Sequence, residues 1–310
     1  MLAKKRIQNK VAESRYALPI SIAYSIVIWL LMGIAEGSLL LSYPLVLAAT
    51  YLVVELNNRN SLIRIYSRIV SCSFLVLTMM SRFLLNDYTN AVIAIATVAF
   101  YLQLFRSYQD RNAMGTTFYG FVFLGIASVW WVHILYFVPI FWIVMRTNMI
   151  CFNIRTFFAS LLGLSCPYWF IAGYLAFTGN IGGLLHHFTT LADYGPLLDY
   201  SMITKSQLAC FVFVAILMMT GIIHFIRKSS YDSIRVRLTF EALIFVCIVT
   251  VAFILLQPQH FDRLFSMLIL GTAPLISHYI ALTKTRVTNI SFIVMAIGTI
   301  SITLLNIWIG

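Results

Sequence analysis

Charge is scarce in this 310-residue chain. Aspartate, glutamate, lysine and arginine make up 10% of it, where a soluble globular domain carries about 25%. A soluble protein of this length would need far more polar surface to cover itself. Cysteine is sparse and unpatterned. Cys72, Cys151, Cys166, Cys210 and Cys247 form no CxxC pair and sit in or beside apolar runs, which argues against a disulfide framework and reads them as small buried hydrophobes. No HExxH or HxxxH pair, Walker loop, dinucleotide fingerprint or GxSxG elbow occurs, and no RNA-recognition, zinc-finger or helix-turn-helix pattern. A soluble catalytic domain and nucleic-acid binding are therefore not expected, despite the net charge of +11.

What the chain has is apolar runs. It is 61% hydrophobic, and a bilayer span needs about 20 apolar residues. Candidate segments are 17–35, 38–54, 62–84, 89–105, 117–149, 156–177, 207–226, 238–256, 263–283 and 288–308. The expected fold is all-α, a polytopic transmembrane helix bundle of about 9–11 spans. Residues 1–16 form a basic cytoplasmic tail, and 17–310 a single transmembrane domain with an external loop at 178–206. The first apolar run is too long for a signal-peptide core and predicts an uncleaved signal anchor.

Orientation follows from lysine and arginine, which concentrate on the cytoplasmic side of an inner membrane. The tail carries Lys4, Lys5, Arg6, Lys10 and Arg15, while the turn at Glu36–Gly37 carries none. Counting onward meets a parity conflict. Between Arg111 and the cluster Arg227, Lys228, Arg235 and Arg237 there are three apolar segments, 117–149, 156–177 and 207–226, but an even number of crossings is needed. Two arrangements resolve it: 117–149 folds as two short helices split near Trp131–Ile134, or 156–177 dips into the membrane without crossing, and the split is preferred because it places Arg146 and Arg155 inside. Eighteen Lys/Arg then lie inside and three (Arg82, Lys205 and Arg263) outside. The result is eleven crossings, with a cavity expected beside the short helices, because broken spans are tolerated where they pack on protein.

With this topology Glu36, Asp87, Asp193, Asp199 and Asp262 face outward, as do His186, His187, His260, Arg82 and Arg263. A carboxylate there can act as a general base or hold a divalent cation, and an arginine can hold a phosphate through paired hydrogen bonds. The alternative for each is an ordinary solvated loop residue. Glu36 and Arg263 sit tightly against apolar runs, where an idle charge is costly. His186 and His187 are adjacent, and neighbours on a helix do not face one another, so they are poor metal partners. His133, beside Trp130 and Trp131, either lines the cavity or bridges two helices. Trp142, Tyr168 and Trp169 read as interface anchors, and LLHHFTTLADY as a surface amphipathic helix.

The stretch GFVFLGIASVWWVHILYFVPIFWIVM, then an arginine and FFASLLGLSCPYWFIAGY, resembles uncharacterised inner-membrane proteins of Bacteroidota. More distantly it resembles the helical module of polyprenyl-phosphate-dependent (GT-C) glycosyltransferases, through Gly125–Ala127, Pro139, Arg146 to Arg155 and Pro167–Tyr168. The chain departs from that family in offering only Glu36 in its first external loop, in having Trp131, Val132 and His133 where a lysine often stands, and in lacking a large external domain. The resemblance implies a role in envelope glycan or lipid-linked sugar metabolism at a bacterial inner membrane. Glu36 would be the catalytic carboxylate. Arg82, His133, His186, His187 and Arg263 would bind substrate, and a polyprenyl-phosphate-linked sugar and membrane lipid would be the partners. No cofactor is implied beyond a divalent cation. The alternatives are a non-catalytic scaffold of an envelope machine, or a lipid or small-molecule transporter.

Overall fold

The computed structural model describes residues 6–32, 37–179, 182–192 and 195–309. Among them are thirteen α-helices and no strand: α1 (Ile7–Glu13), α2 (Ala17–Leu31), α3 (Gly37–Asn60), α4 (Ile69–Met80), α5 (Tyr88–Arg106), α6 (Met114–Trp130), α7 (Phe137–Thr147), α8 (Ile154–Phe177), α9 (Gly182–Thr189), α10 (Lys205–Lys228), α11 (Ile234–Leu256), α12 (Phe261–Leu282) and α13 (Arg286–Ile309). Seven helices are long and apolar enough to cross a bilayer: α3, α5, α8 and α10 to α13. The bent pair α1–α2 is an eighth candidate, with its two parts at 93°. The protein is a multi-pass membrane protein with an all-α bundle fold.

Contacts between distant loops define two ends. At one, Ser67 Oγ donates to the Ala12 carbonyl (2.6 Å), Arg235 Nη2 to that of Phe105 (3.0 Å) and Asn153 Nδ2 to that of Arg111 (2.7 Å). At the other, Asn306 Nδ2 donates to the Met80 carbonyl (2.7 Å) and Tyr200 to that of Leu255 (2.8 Å). The seven long apolar helices run between these ends, with the shorter apolar helices α4, α6 and α7 packed among them. The first is the basic end and the second is charge-poor.

The expected split of 117–149 is present. α6 stops at Trp131, whose extended backbone (φ −148°, ψ 95°) leads into a 3-10 turn at Val132–Tyr136 and then α7. A third short helix occurs where a full span was expected over 62–84. Only Ile69–Met80 is α-helical, and ten of its twelve residues are buried. A short helix persists at membrane depth because protein rather than lipid surrounds it. The surface helix expected in the 178–206 loop is α9, followed by a 3-10 turn at Thr190–Ala192. The anchor reading needs correction for two aromatics. Trp142 Nε1 donates to Ser160 Oγ (3.0 Å), tying α7 to α8, and the Tyr168 hydroxyl meets that of Ser128 at 2.7 Å. Trp169 alone of the three is strongly exposed, at 75%.

The centre of the bundle is α12, buried along its whole membrane window and packed against α4, α5, α10 and α11. Small residues permit this crowding. A Cβ on Gly221 of α10 would lie 2.7 Å from the Leu275 backbone, and one on Gly271 would overlap the Cys247 sulfur. Membrane helices associate through such close backbone approach, because lipid offers no hydrophobic gain for helix pairing. α6 and α8 meet the same way at Gly125 and Gly163. α8 and α13 are peripheral, and most of their surface faces outward.

Candidate functional site

Polar residues converge at the charge-poor end, around the start of α12. α11 ends at Leu256, and a turn through Gln257 and Pro258–His260 delivers the chain into α12. Asp262 falls in the first turn of α12, where a carboxylate complements the helix dipole. It accepts a hydrogen bond from Gln207 Nε2 at 2.7 Å, and Gln207 is placed by its capping box with Thr204. Asp87 caps α5 by accepting from the Thr89 N–H at 2.8 Å, and its other oxygen lies 3.8 Å from Arg263 Nη2. That separation exceeds hydrogen-bond range. The pair is attracted but not locked. With Asn90, Gln259 and His260, these residues line a cavity of about 230 Å³.

The break after α6 reaches the rim of this cavity. The ring of His133 lies 4.1 Å from that of His260, and Trp131 meets His260 edge-on at 5.6 Å. Tyr136, from the same 3-10 turn, donates to the Leu191 carbonyl in the loop after α9. The short helices thus deliver His133 and Trp131 beside the polar cavity. Carboxylates, amides, an imidazole and a guanidinium in one concavity can bind an anionic or polyhydroxylated group, and can exchange protons with it.

The residues singled out from the sequence separate into groups. Arg263 lines the cavity and His133 adjoins it through His260. Arg82 lies at the same end, in the 3-10 turn Arg82–Leu85, but does not line the cavity. His186 is exposed on α9. His187 braces α9 against the bundle instead, with Nε2 3.0 Å from the Ser128 carbonyl and 3.3 Å from the Tyr168 hydroxyl. Glu36 and Asp193 lie outside the described residues. Among the described residues no three His, Cys, Asp or Glu side chains form a set able to hold a metal ion.

Sequence reasoning missed a second polar cluster, at the basic end. Asp232, in the loop between α10 and α11, is 1% exposed, and His278 of α12 is 0% exposed. His278 Nε2 lies 2.9 Å from Asp232 Oδ2. A carboxylate only accepts, so Nε2 carries the proton. Arg64 Nε stands 3.2 Å from Oδ1, an ion pair off the line of a hydrogen bond, and Arg64 Nη1 donates to the Tyr231 carbonyl at 3.1 Å. The His278 ring is enclosed by Phe225, Phe240 and His224. Signals existed for this cluster. Asp232 is the one acid among the basic residues of 227–237, and His224 and His278 interrupt apolar runs. A polar group within a span needs a partner or a task. The cluster joins the α3–α4 loop, the α10–α11 loop and the central helix.

Comparison with protein-family models, curated proteins and solved structures finds no match for this chain.

Proposed function

We propose that this protein works in envelope glycan or lipid-linked sugar metabolism as a reduced, GT-C-like protein of a bacterial inner membrane. Its N-terminus is cytoplasmic and its site faces outward. The carrying observation is the cavity of about 230 Å³ at the charge-poor end, where Asp87, Asp262, His260 and Arg263 converge beside the short paired helices. The eighteen-to-three division of lysine and arginine supports the orientation. Arg263 is the phosphate contact, with Arg82 nearby at the same end. Asp87, together with Glu36, supplies the carboxylate that acts as base or holds a divalent cation through water and substrate oxygens. His133 and His260 form the imidazole wall. A scaffold has no need of such a concavity, so the cavity favours this reading over the non-catalytic one.

The test is complementation of a deletion strain with Arg263→Ala, Asp87→Asn and Glu36→Gln variants expressed at wild-type level. Arg263→Ala is expected to lower the affected envelope glycan at least tenfold, since losing a charged contact costs about 1.5–3 kcal/mol. Full restoration by all three variants, with a stable protein partner co-purifying in mild detergent, would establish the scaffold reading instead.

A further inference from the structure

A larger concavity lies elsewhere, and the site above does not use it. α2 and α13 both pack on α4 and touch through the hydrogen bond from the Tyr24 hydroxyl to Thr303 Oγ1, at 3.0 Å. Between that bond and the basic end they part, leaving a groove of about 390 Å³. Its walls are apolar, with Ile20 from α2, Val76 from α4, Ile280 from α12 and Ala296 from α13. The volume falls within the roughly 300–1,000 Å³ typical of small-molecule sites.

The roof of the groove is built. α1 turns 93° away from α2 and is pinned across the basic end by its buried amides. Gln8 Nε2 donates to Thr283 Oγ1 at 2.9 Å, and Asn9 Nδ2 to the Thr283 carbonyl at 2.9 Å. Val11 and Ser14 thereby face into the groove. Lys10 and Arg15, their neighbours in sequence, are exposed, as are Lys284 and Arg286 where α13 begins. The one acid of α1, Glu13, is half-buried and has its own interaction. An interfacial helix with cationic flanks above an apolar slot matches a ligand with an anionic head and a hydrocarbon chain.

We propose that this groove binds one anionic phospholipid from the leaflet at the basic end. An acyl chain lies between α2 and α13, and the phosphate sits beneath Lys10 and Arg15. The commitment to a bilayer lipid rests on two observations. The slot lies between two peripheral helices, and its charged rim is at the surface where headgroups reside.

The full-length protein, delipidated in mild detergent, would be incubated with phosphatidylglycerol or with phosphatidylcholine of the same chains. Bound lipid would be counted by native mass spectrometry. One phosphatidylglycerol per chain is expected, retained at least tenfold over phosphatidylcholine. Ala296→Trp, which fills the slot from an exposed position, should lower retention at least tenfold. Ser21→Phe fills it from the opposite wall and decides the matter if the first variant is not monodisperse. Lys10→Glu with Arg15→Glu should reduce phosphatidylglycerol to the phosphatidylcholine level. The proposal is overturned by equal retention of the two lipids, or by groove-filling variants that bind as wild type does. It is also overturned if an equimolar polyprenyl phosphate displaces the phospholipid, or if a dimer forms that Ala296→Trp splits.

Discussion

Replacing Asp232 with alanine is expected to lower the stability of the folded protein by about 3 kcal/mol, the upper end of the cost of leaving a buried hydrogen-bond donor without its acceptor. The penalty arises chiefly at His278. Its side chain has no exposure, its Nδ1 already has no hydrogen-bond partner, and the variant would strand Nε2–H among Phe225, Phe240 and His224. Arg64 contributes less, because its side chain is 40% exposed and water can rehydrate it. Asp232→Asn should cost less than half as much, since the amide oxygen still accepts from His278. The measurement is thermal unfolding in detergent, with Glu241→Ala, at an exposed acid of α11, as the control. A shift on the order of 10 °C is anticipated for Asp232→Ala at about 2–4 °C per kcal/mol. Equal melting of Asp232→Ala and the control would refute a stabilising role for the cluster.

The second large effect belongs to Gly163. A single Cβ there would overlap the Phe118 carbonyl oxygen and stand 3.0 Å from Phe121 Cβ, and neither neighbour can swing away as a flexible side chain would. Gly163→Ala therefore forces α6 and α8 apart. A cost of about 1–3 kcal/mol is expected, as for overpacking a filled core. Gly173, on the same helix, has nothing within 4 Å of its would-be Cβ. Gly173→Ala should be neutral, or stabilising by up to about 1 kcal/mol through helix propensity. Comparing the two variants removes the propensity contribution. If both melt alike, α6 and α8 are not held by this glycine contact. Because α6 leads into the turn that carries Trp131 and His133, loss of the contact should also disturb the rim of the polar cavity.

The sequence was most legible where a property belongs to one segment. The helix break is an example. Charge parity favoured folding 117–149 as two pieces over a non-crossing 156–177, and the chain turns at Trp131–Val132. The cysteine reading also holds for Cys72, Cys151, Cys210 and Cys247, which are buried, while Cys166 is partly exposed. Candidate site residues were less legible, because facing the same side of a membrane does not make two residues neighbours. Arg82, His186 and Arg263 share an end, yet Arg263 alone of the three lines the cavity. His187, expected among the substrate-binding residues, makes contacts that tie α9 to α6 and α8, which its place in the sequence does not announce. Asp232 was not legible as a site residue because its partner His278 lies 46 residues further along the chain, on a different helix.

By itself, the sequence determined the membrane class, the number of apolar helices, the point where one breaks, and the division of basic residues between the two ends. Each of these is set by local composition against the thickness and charge preference of a bilayer. Only the tertiary structure decided which helix sits at the centre, which polar residues meet, and where a slot opens between α2 and α13. In water an apolar stripe marks the face a helix buries, but in lipid every face is apolar. α12 is less apolar than α13, yet α12 is wholly enclosed and α13 lies at the rim. That ordering comes from small residues, buried hydrogen bonds and close backbone approach between segments far apart in the chain, and single-segment hydropathy carries none of it.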